Sequence, residues 1–334
     1  MTETSILVTG GAGYIGSHVV KLLGERNENI VILDDLSTGF EQSVLHGEFI
    51  NGHTGDKELV KRILKDYNVE SILHFAAHTI VPESVENPLK YYQNNTCCTR
   101  NLLECCSEAD IKQFIFSSTA AVYGELDTGF ASEETPKAPI NPYGSSKLMS
   151  EQMIRDVSVA SNLKHVILRY FNVAGSDPDG TIGQSTKNAT LLIKVAAEVA
   201  IGKREKLLVF GTDYPTPDGT GIRDYIHVSD LAAAHIDALD YLRNNGESTT
   251  LNCGYGHGFS VREVINAINQ ENGTPITVEE MPRRAGDPAE LISIAEKIRH
   301  TLGWTPQFDD LNLIVKTSLA WEKTLAERTT ENSD

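Results

Sequence analysis

The chain has 334 residues, enough for a large core and for two linked lobes. Hydrophobic residues make up 40% and charged residues 22%, as in ordinary globular proteins. The net charge of −17 argues against nucleic acid or an anionic membrane as a partner, although a local arginine cluster can still bind a small anion. Since neither a signal peptide nor an apolar stretch of membrane-spanning length is visible, we expect a cytoplasmic protein.

The first elements read as strand, glycine-rich turn, helix and strand. Residues 6–8 are an apolar run that enters a turn containing Gly10, Gly13 and Gly16, and residues 30–33 are a second apolar run. This order is typical of a dinucleotide-binding unit, because glycines allow the backbone to approach a pyrophosphate at the start of the helix. The alternative, a glycine-rich turn without a cofactor, remains open at this point.

Asp34 follows the second strand, 18 residues after Gly16. A carboxylate in this position accepts hydrogen bonds from both hydroxyls of an adenosine ribose and repels a 2′-phosphate. No arginine follows in residues 35–39. The sequence therefore favours NAD over NADP.

Strands and helices continue to alternate through the first half of the chain. Helices are predicted at 59–67, 89–106 and 143–159, and strands at 71–75, 113–116 and 165–168. This pattern predicts an α/β fold with a Rossmann-type doubly wound parallel sheet. Because ligands bind at the carboxyl ends of such strands, the residues just after them should converge on one crevice: Thr9, Asp34, Ala76, Thr119 and Asn172.

After Gly175 the pattern changes to that of a smaller C-terminal α/β lobe. The predicted helices are 188–200, 229–242 with Ser229 as its cap, 261–268, 294–302 and 311–326. The predicted strands are 207–210, 251–254 and 276–280. We assign 1–172 to a cofactor-binding domain, to which parts of 224–255 return, 173–328 mainly to a substrate lobe, and 329–334 to a frayed tail.

The five cysteines do not form a metal-binding pattern. Cys97, Cys98, Cys105 and Cys106 fall in one helical segment without Cys-x-x-Cys spacing and without a histidine at ligand spacing. We predict no metal site and expect small buried thiols in a reducing compartment.

Tyr143 and Lys147 lie one helical turn apart on the same face of a predicted helix. A free tyrosine has a pKa of about 10, and a nearby ammonium would favour its phenolate. Lowering that pKa by about three units takes about 4 kcal/mol of differential stabilisation, which one cation in a dry site can supply. Such pairs also occur by chance on helix surfaces.

Two loops of the second lobe carry arginines. Arg223 lies in a glycine-rich loop, and Arg283 and Arg284 lie close to Asp287. Guanidinium groups suit a doubly charged pyrophosphate through paired hydrogen bonds. The alternative is a surface ion pair, for example between Arg284 and Asp287.

Taken together, the motifs resemble the UDP-glucose (UDP-galactose) 4-epimerase branch of the extended short-chain dehydrogenase/reductase family. The similarity covers residues 5–321 and is carried by the segments 8–18, 74–77, 143–147, 169–172, 213–228 and 284–287. It implies a tightly bound NAD and reversible C4 epimerisation of a UDP-hexose through a transient 4-keto sugar. It also implies a homodimer.

The resemblance implies catalytic roles for three residues. Tyr143 takes the proton of the sugar 4′-hydroxyl, Lys147 lowers the pKa of Tyr143 and bonds the nicotinamide ribose, and Thr119 donates to the 4′-oxygen. The C4′ hydride passes to the nicotinamide and returns to the opposite face after the keto sugar has turned over. A sugar held mainly by its nucleotide has the freedom to rotate.

The matching motif positions also imply two sets of ligand contacts. Contacts with NAD are implied for Gly10, Gly13, Tyr14, Ile15, Gly16, Asp34, Asp35, Leu36, Ser37, Thr38, Gly39, His53, Thr54, Phe75, Ala76, Ala77, Asn94, Thr119, Tyr143, Lys147 and Phe171. Contacts with the UDP-sugar are implied for Thr119, Tyr143, Asn172, Leu191, Leu208, Val209, Phe210, Arg223, Arg284, Asp287 and Leu291.

The chain departs from its relatives at several positions. His53 replaces an aspartate that meets adenine, Thr79 replaces a lysine, and Leu191 stands where an asparagine or histidine often meets the phosphates. Thr119 is followed by two alanines at 120–121, where the dehydratases and decarboxylases carry an acid pair, which argues for epimerisation. Leu291 leaves the admission of an N-acetyl group open.

Two other functions are weighed against UDP-hexose epimerisation. One is a related enzyme, such as a UDP-N-acetylglucosamine or UDP-uronate 4-epimerase or an NAD-dependent sugar-nucleotide dehydrogenase. The other is a catalytically silent NAD-binding protein, against which the intact Thr119, Tyr143 and Lys147 speak.

Overall fold

The computed structural model describes residues 4–187, 189–284 and 287–331. The strands, in chain order, are β1 (Ser5–Thr9), β2 (Ile30–Asp34), β3 (Glu48–Asn51), β4 (Val69–His74), β5 (Gln113–Thr119), β6 (Phe130–Ala131), β7 (Lys164–Tyr170), β8 (Asn172–Ala174), β9 (Leu207–Phe210), β10 (Ile222–Arg223), β11 (Tyr225–His227), β12 (Thr249–Cys253), β13 (Phe259–Ser260), β14 (Val278–Met281) and β15 (Glu290–Ser293).

The α-helices alternate with these strands through most of the chain. They are α1 (Tyr14–Glu25), α2 (Lys57–Asp66), α3 (Val81–Glu86), α4 (Pro88–Tyr91), α5 (Cys98–Glu108), α6 (Pro142–Ala160), α7 (Leu192–Ala200), α8 (Val228–Arg243), α9 (Val261–Asn272), α10 (Glu296–Leu302) and α11 (Leu311–Glu331). No helix within the described ranges has the length and apolar character needed to cross a membrane.

The large sheet has the strand order β12-β7-β5-β4-β1-β2-β3, and all its neighbouring strands are parallel. Its two faces are covered by helices. Ile6 and Val8 of β1 pack on the side of α1 and α8, whereas Leu7 packs on the side of α2, α5 and α6. The strands are apolar on both faces for this reason. The predicted doubly wound α/β fold is confirmed.

Outside the large sheet, the described residues form three smaller sheets. One has the order β13-β10-β15-β6, and two are the parallel pairs β11-β8 and β14-β9. Helices α7, α9 and α11 pack against one another beside β9. Later in the chain, α8 packs on α1 and β12 pairs with β7, so residues after β11 return to the large sheet.

The long helix predicted at 89–106 is divided in the structure. A six-residue π-helical segment, Tyr92–Cys97, separates α4 from α5. Within it, the Asn95 amide donates to the His78 carbonyl and to the Ser146 hydroxyl, and the Thr96 hydroxyl donates to the Ser146 carbonyl. The wider turn directs these side chains at α6, which a periodicity argument does not foresee.

Other boundaries also differ from the prediction. Ser229 is not the cap of α8: His227 is the N-cap, and its Nδ1 accepts the Ser229 N–H at 3.1 Å. Helix α7 begins at Leu192, and Asn188, where its start was predicted, lies outside the described residues. The final helix includes residues 329–331, and residues 332–334 of the predicted tail lie outside the described ranges.

The cysteine prediction needs one correction. Cys98, Cys105, Cys106 and Cys253 are buried, but Cys97 is exposed because it lies on the outer side of the π-helical segment. All five carry free thiols.

Candidate functional site

A cavity of about 1520 Å³ opens at the carboxyl ends of the large sheet and extends to the second lobe. Most of the predicted ligand contacts border it. They are Gly10, Gly13, Tyr14, Ile15, Gly16, Asp34, Asp35, Ser37, Thr38, His53, Thr54, Phe75, Ala76, Ala77, Asn94, Thr119, Tyr143, Phe171, Asn172, Leu191, Leu208, Val209, Phe210, Arg223, Arg284, Asp287 and Leu291. Residues from both halves of the chain therefore share one concave surface.

Four predicted residues do not border this cavity. Leu36 and Gly39 belong to the loop after β2 but are absent from the cavity wall, and Lys147 is 3% exposed. Thr9, the last residue of β1, is completely buried because its hydroxyl turns into the sheet and bonds His74 Nδ1 at 2.6 Å. The expectation that Thr9 joins the crevice is wrong.

The turn between β1 and α1 has the geometry of an anion site. Gly10 has φ +72, and a Cβ there would lie 2.6 Å from the Ala76 nitrogen, while a Cβ on Gly16 would lie 2.2 Å from the Gly10 oxygen. Because these distances are too short for a side-chain carbon, each of the two positions accepts only glycine. Helix α1 starts next to the cavity with no side chain capping it at Gly13 and no acid in its first turn. Its free amides and positive dipole end suit a pyrophosphate.

Asp34 ends β2 on the cavity wall and is 7% exposed. One carboxylate oxygen accepts the Ala12 N–H at 3.0 Å and the other accepts the Leu36 N–H at 2.8 Å. Burial raises the pKa of this carboxyl, and the two backbone donors oppose the rise. Each oxygen keeps a second acceptor site, so the group can receive two ribose hydroxyls.

His53 and Asn94 form the adjoining part of the wall. His53 Nδ1 accepts the Gly55 N–H at 3.0 Å, which leaves the hydrogen on Nε2, and Nε2 lies 3.0 Å from Asn94 Oδ1. His53 thus donates to Asn94, whereas an aspartate in this position would only accept. Its Nε2 also lies 3.9 Å from Asp35.

Thr119 and Tyr143 meet between β5 and the first turn of α6. Both are nearly buried, at 8% and 7% exposed, and both border the cavity. Asn141 caps α6 by accepting the Gly144 N–H at 2.9 Å, which fixes the start of the helix at Pro142, one residue before Tyr143. The Thr119 hydroxyl is hydrogen-bonded to the Tyr143 phenol.

The predicted lowering of the Tyr143 pKa is not found in the protein chain by itself. Burial raises the pKa of this phenol, and the hydrogen bond from Thr119 only partly offsets the rise. Lys147 Nζ instead donates to the Ser117 carbonyl at 2.9 Å. Burial lowers the pKa of Lys147 to about 7, against the opposing effect of Glu151.

The arginine loops converge on the far end of the cavity. Arg223 Nη2 lies 3.4 Å from Asp287 Oδ1, and the Arg284 guanidinium lies 3.7 Å from the centre of the Phe210 ring. Asp287 is therefore paired with Arg223. The ion-pair alternative had instead supposed that Asp287 pairs with Arg284. Arg283 points away to Asp213 at 2.7 Å. The intervening residues 285–286 lie outside the described ranges.

Comparison with known proteins identifies the family. A family model described as "NAD dependent epimerase/dehydratase family" matches residues 6–254. The chain belongs to this family. A curated relative named UDP-glucose 4-epimerase, from Azospirillum brasilense, is 51% identical over 321 residues, which cover 96% of this chain and 92% of that protein. A relative of the same name from Streptococcus mutans is 46% identical over 95% of this chain and 96% of that protein.

Solved structures from the same family agree with this assignment. The UDP-glucose 4-epimerase of Brucella ovis, crystallised with NAD, has a TM-score of 0.92 and 41% identity, and the alignment covers 95% of this chain and 97% of that one. The UDP-Glc/GlcNAc 4-epimerase of Campylobacter jejuni has a TM-score of 0.85 and 52% identity, with coverage of 96% and 99%.

In this member of the epimerase/dehydratase family, the cavity has a wall that motif reading missed. His78 and Ile80, after β4, border it. The Asn95 side chain accepts the N–H of His78 and donates to its carbonyl. In the same way, the Tyr91 hydroxyl accepts the N–H of Ile80 and donates to its carbonyl. The local sequence carries no signal for this wall, since its shape depends on side chains of the following helical segment.

Proposed function

We propose that this protein catalyses the reversible epimerisation of UDP-glucose and UDP-galactose at C4, with NAD as its resident cofactor. The observation that carries the proposal is the shared cavity. It joins a dinucleotide turn to an arginine-lined end, with Thr119 and Tyr143 between them. Relatives with 51% and 46% identity named UDP-glucose 4-epimerase support the assignment.

The residues of the first half fit NAD. The glycine turn and the uncapped start of α1 suit its pyrophosphate, and Asp34 suits its adenosine ribose. His53 and Asn94 would hold the adenine end, and Phe75, Ala76, Ala77 and Phe171 would border the rest. When bound, the cofactor accepts a hydride from the sugar and returns it.

The protein supplies the proton handling at the reacting hydroxyl. Tyr143 removes the proton of the 4′-hydroxyl and later returns it, and Thr119 donates to the same oxygen. Their burial keeps competing water away from the oxygen that develops charge. Lys147 contributes positive charge behind Tyr143 when it is an ammonium.

The second lobe would hold the nucleotide part of the substrate. Arg223 and Arg284 offer guanidinium groups to the phosphates, and the strand Leu207–Phe210 borders the uridine end. Asn172, Leu191, Asp287 and Leu291 complete this wall. Strong contacts on the nucleotide and weak contacts on the hexose permit the keto sugar to rotate between the two hydride transfers.

The residues after Thr119 support epimerisation over water elimination. Ala120 and Ala121 begin a 3-10 turn at the cavity wall. Neither can act as an acid or a base, and both of these groups are needed to expel a hydroxyl from the sugar.

The test is product analysis with purified protein and no added cofactor. UDP-galactose and, separately, UDP-N-acetylgalactosamine are incubated with the protein, and the sugar nucleotides are resolved by chromatography. The proposal expects UDP-glucose from the first without accumulation of NADH. No conversion of UDP-galactose contradicts it, and so does continuous formation of NADH, one per sugar consumed, in a parallel incubation with excess NAD. The second incubation shows whether Leu291 admits an N-acetyl group.

We also infer the assembly, compartment and domain organisation. A homodimer is supported by apolar side chains exposed on neighbouring helices, Val85 at 61% and Leu89 at 76%. Five free thiols suit a reducing cytoplasm. The pairing of β12 with β7 supports the return of 224–255 to the cofactor domain 1–172, with 173–328 mainly forming the substrate lobe. Sedimentation analysis tests the dimer: a monomer at micromolar concentration contradicts it.

A further inference from the structure

Lys147 is a buried cation with few partners. It is 3% exposed, and its Nζ donates to one carbonyl, that of Ser117, at 2.9 Å. An ammonium carries three N–H donors. Nζ also lies over the ring of Phe116, whose centre is 4.8 Å away.

The Phe116 ring is held firmly in the sheet. It is completely buried in β5 and stacks on the His74 imidazole with 5.7 Å between ring centres and 29° between planes. His74 is itself fixed, because Nδ1 bonds the Thr9 hydroxyl and Nε2 bonds the Thr99 hydroxyl at 2.9 Å. The aromatic face beside Lys147 is therefore preorganised.

We propose that Phe116 is a positioning residue whose ring face holds Lys147 in its ammonium form beside Ser117 and below Tyr143. The face of an aromatic ring attracts a cation through its quadrupole, and the attraction is strongest where water is excluded. No motif marks Phe116, and its effect on the reaction passes through Lys147. The catalytic role of Phe116 rests on the proposed function, but the charge state of Lys147 can be measured without following turnover.

The other charged or titratable neighbours lie on three elements. Tyr143 and Glu151 lie one turn either side of Lys147 on α6, His74 lies on β4, and Arg169 on β7 pairs with Glu151 through Nε at 2.9 Å. Burial brings the pKa of Lys147 to about 7, Glu151 raises it, and His74 is neutral because burial lowers its pKa to about 3. Near neutral pH, a modest attraction thus decides how much of Lys147 is charged.

The chain offers a matched control in Phe114. It lies two residues earlier on β5, so its side chain shares the face of the sheet with Phe116. It is also completely buried, and its ring centre lies 5.9 Å from that of His74. Phe114→Leu and Phe116→Leu remove a ring from the same core, but only the second removes the ring beside Lys147.

The experiment follows the titration of Lys147 directly. The protein, with its resident cofactor, is labelled with ¹³C at lysine Cε, and the Lys147 resonance is identified by its loss in Lys147→Arg. We expect Phe116→Leu to lower the titration midpoint by about half a unit to one and a half units, and Phe114→Leu to leave it at the parent value. The alkaline limb of turnover should move with it. Equal midpoints in the parent and Phe116→Leu overturn the proposal.

A shape-preserving substitution covers the case in which Phe116→Leu does not fold. Pentafluorophenylalanine at position 116 keeps the ring but reverses the sign of its face potential. The midpoint should again fall, and an unchanged midpoint contradicts the proposal. If instead the parent titrates as expected but does not epimerise UDP-galactose, the proposed function fails while the effect of Phe116 stands.

Discussion

At the scale of single residues, the side chains that border the cavity are separate from the buried lysine behind them. Tyr143 and Thr119 border the cavity, whereas Lys147 lies behind them against Ser117. Burial opposes ionisation of both Tyr143 and Lys147. Burial therefore disfavours both the Tyr143 phenolate and the Lys147 ammonium, and the groups next to each side chain determine how far it ionises.

We predict that Tyr143→Phe loses most of its turnover and keeps its fold and its bound NAD. The ring stays buried, and only the hydroxyl that exchanges the proton is removed, which should lower turnover by about 10²–10⁴-fold. Steady-state rates, circular dichroism and the NAD content of the purified variant measure the three effects. Tyr67→Phe, outside the cavity, is the control. Unaltered turnover in Tyr143→Phe would remove the assigned base.

Arg223→Gln should weaken substrate binding more than turnover. A lost charge-assisted hydrogen bond to a phosphate is worth about 1.5–3 kcal/mol, so KM for UDP-galactose should rise by about 10- to 100-fold with little change in kcat. Arg262→Gln is the control, because it removes the same charge from a residue that makes only an exposed ion pair, with Glu280 at 2.8 Å. The same KM in both variants would exclude a phosphate contact for Arg223.

At the scale of elements, α6 carries the reacting side chains and its start is defined by one cap. The Asn141 side chain accepts the Gly144 N–H, and Pro142 occupies the first helical turn. From this fixed start, Tyr143 faces the cavity and Lys147 falls one turn later, against β5. The helix sets the distance and direction between Tyr143 and Lys147, and the cap determines the residue at which the helix begins.

Asn141→Ala should therefore destabilise the protein by about 1 kcal/mol, the usual cost of removing an N-cap. Asn141→Ser keeps a side-chain oxygen in reach of the same N–H and should recover most of the loss. Urea unfolding monitored by fluorescence gives both free energies of unfolding. If the alanine and serine variants lose equal stability, the cap does not hold α6.

Elements with continuous apolar patterns could be predicted from sequence, and strands without such a pattern could not. The strand predicted at 207–210 coincides with β9. The strands β10, Ile222–Arg223, and β15, Glu290–Ser293, were missed, because they lack a continuous apolar pattern and form by pairing with distant segments. The relative placement of Tyr143 and Lys147 could be predicted from sequence, because both residues lie on one helix.

The sequence was less informative about contacts between elements. Nothing near Lys147 in sequence indicates that Phe116 lies beside its ammonium, since that contact crosses from α6 to β5. Similarly, Asp287 was weighed as a partner for its neighbour Arg284, but the fold pairs it with Arg223. Spacing predicts which residues share an element, whereas packing decides which charges meet.

At the scale of the whole molecule, buried histidines make stability depend on pH. His18, His165 and His235 have pKa values lowered to about 4, and His74 and His227 to about 3, chiefly by burial. All five are neutral in the folded protein at pH 6, while the unfolded chain binds protons below pH 6.5. Because the unfolded state then binds more protons, stability falls as pH decreases.

We predict that the free energy of unfolding decreases from pH 6.5 to pH 4, by up to about 1.4 kcal/mol per pH unit for each buried histidine. Asp237, whose pKa burial raises to about 6, acts in the opposite sense, as do the other carboxyls whose pKa values burial raises: Asp34, Asp224, Asp230 and Glu322. Glu151, Asp177 and Glu198, whose pKa values are lowered by hydrogen bonds and ion pairs, act in the same sense as the histidines. Urea unfolding at several pH values measures the slope. His235→Gln should flatten it and the exposed His300→Gln should not; stability that is constant or increases on acidification contradicts the prediction.

The late return of the chain to the large sheet has a consequence for its synthesis on the ribosome. Strand β7 ends at Tyr170, but its partner β12 begins only at Thr249. At about 5–20 residues per second, the nascent sheet waits several seconds with an open hydrogen-bonding edge and without α8 over α1. An mRNA that slows translation between these two points would prolong that exposure and should increase aggregation without altering the finished protein.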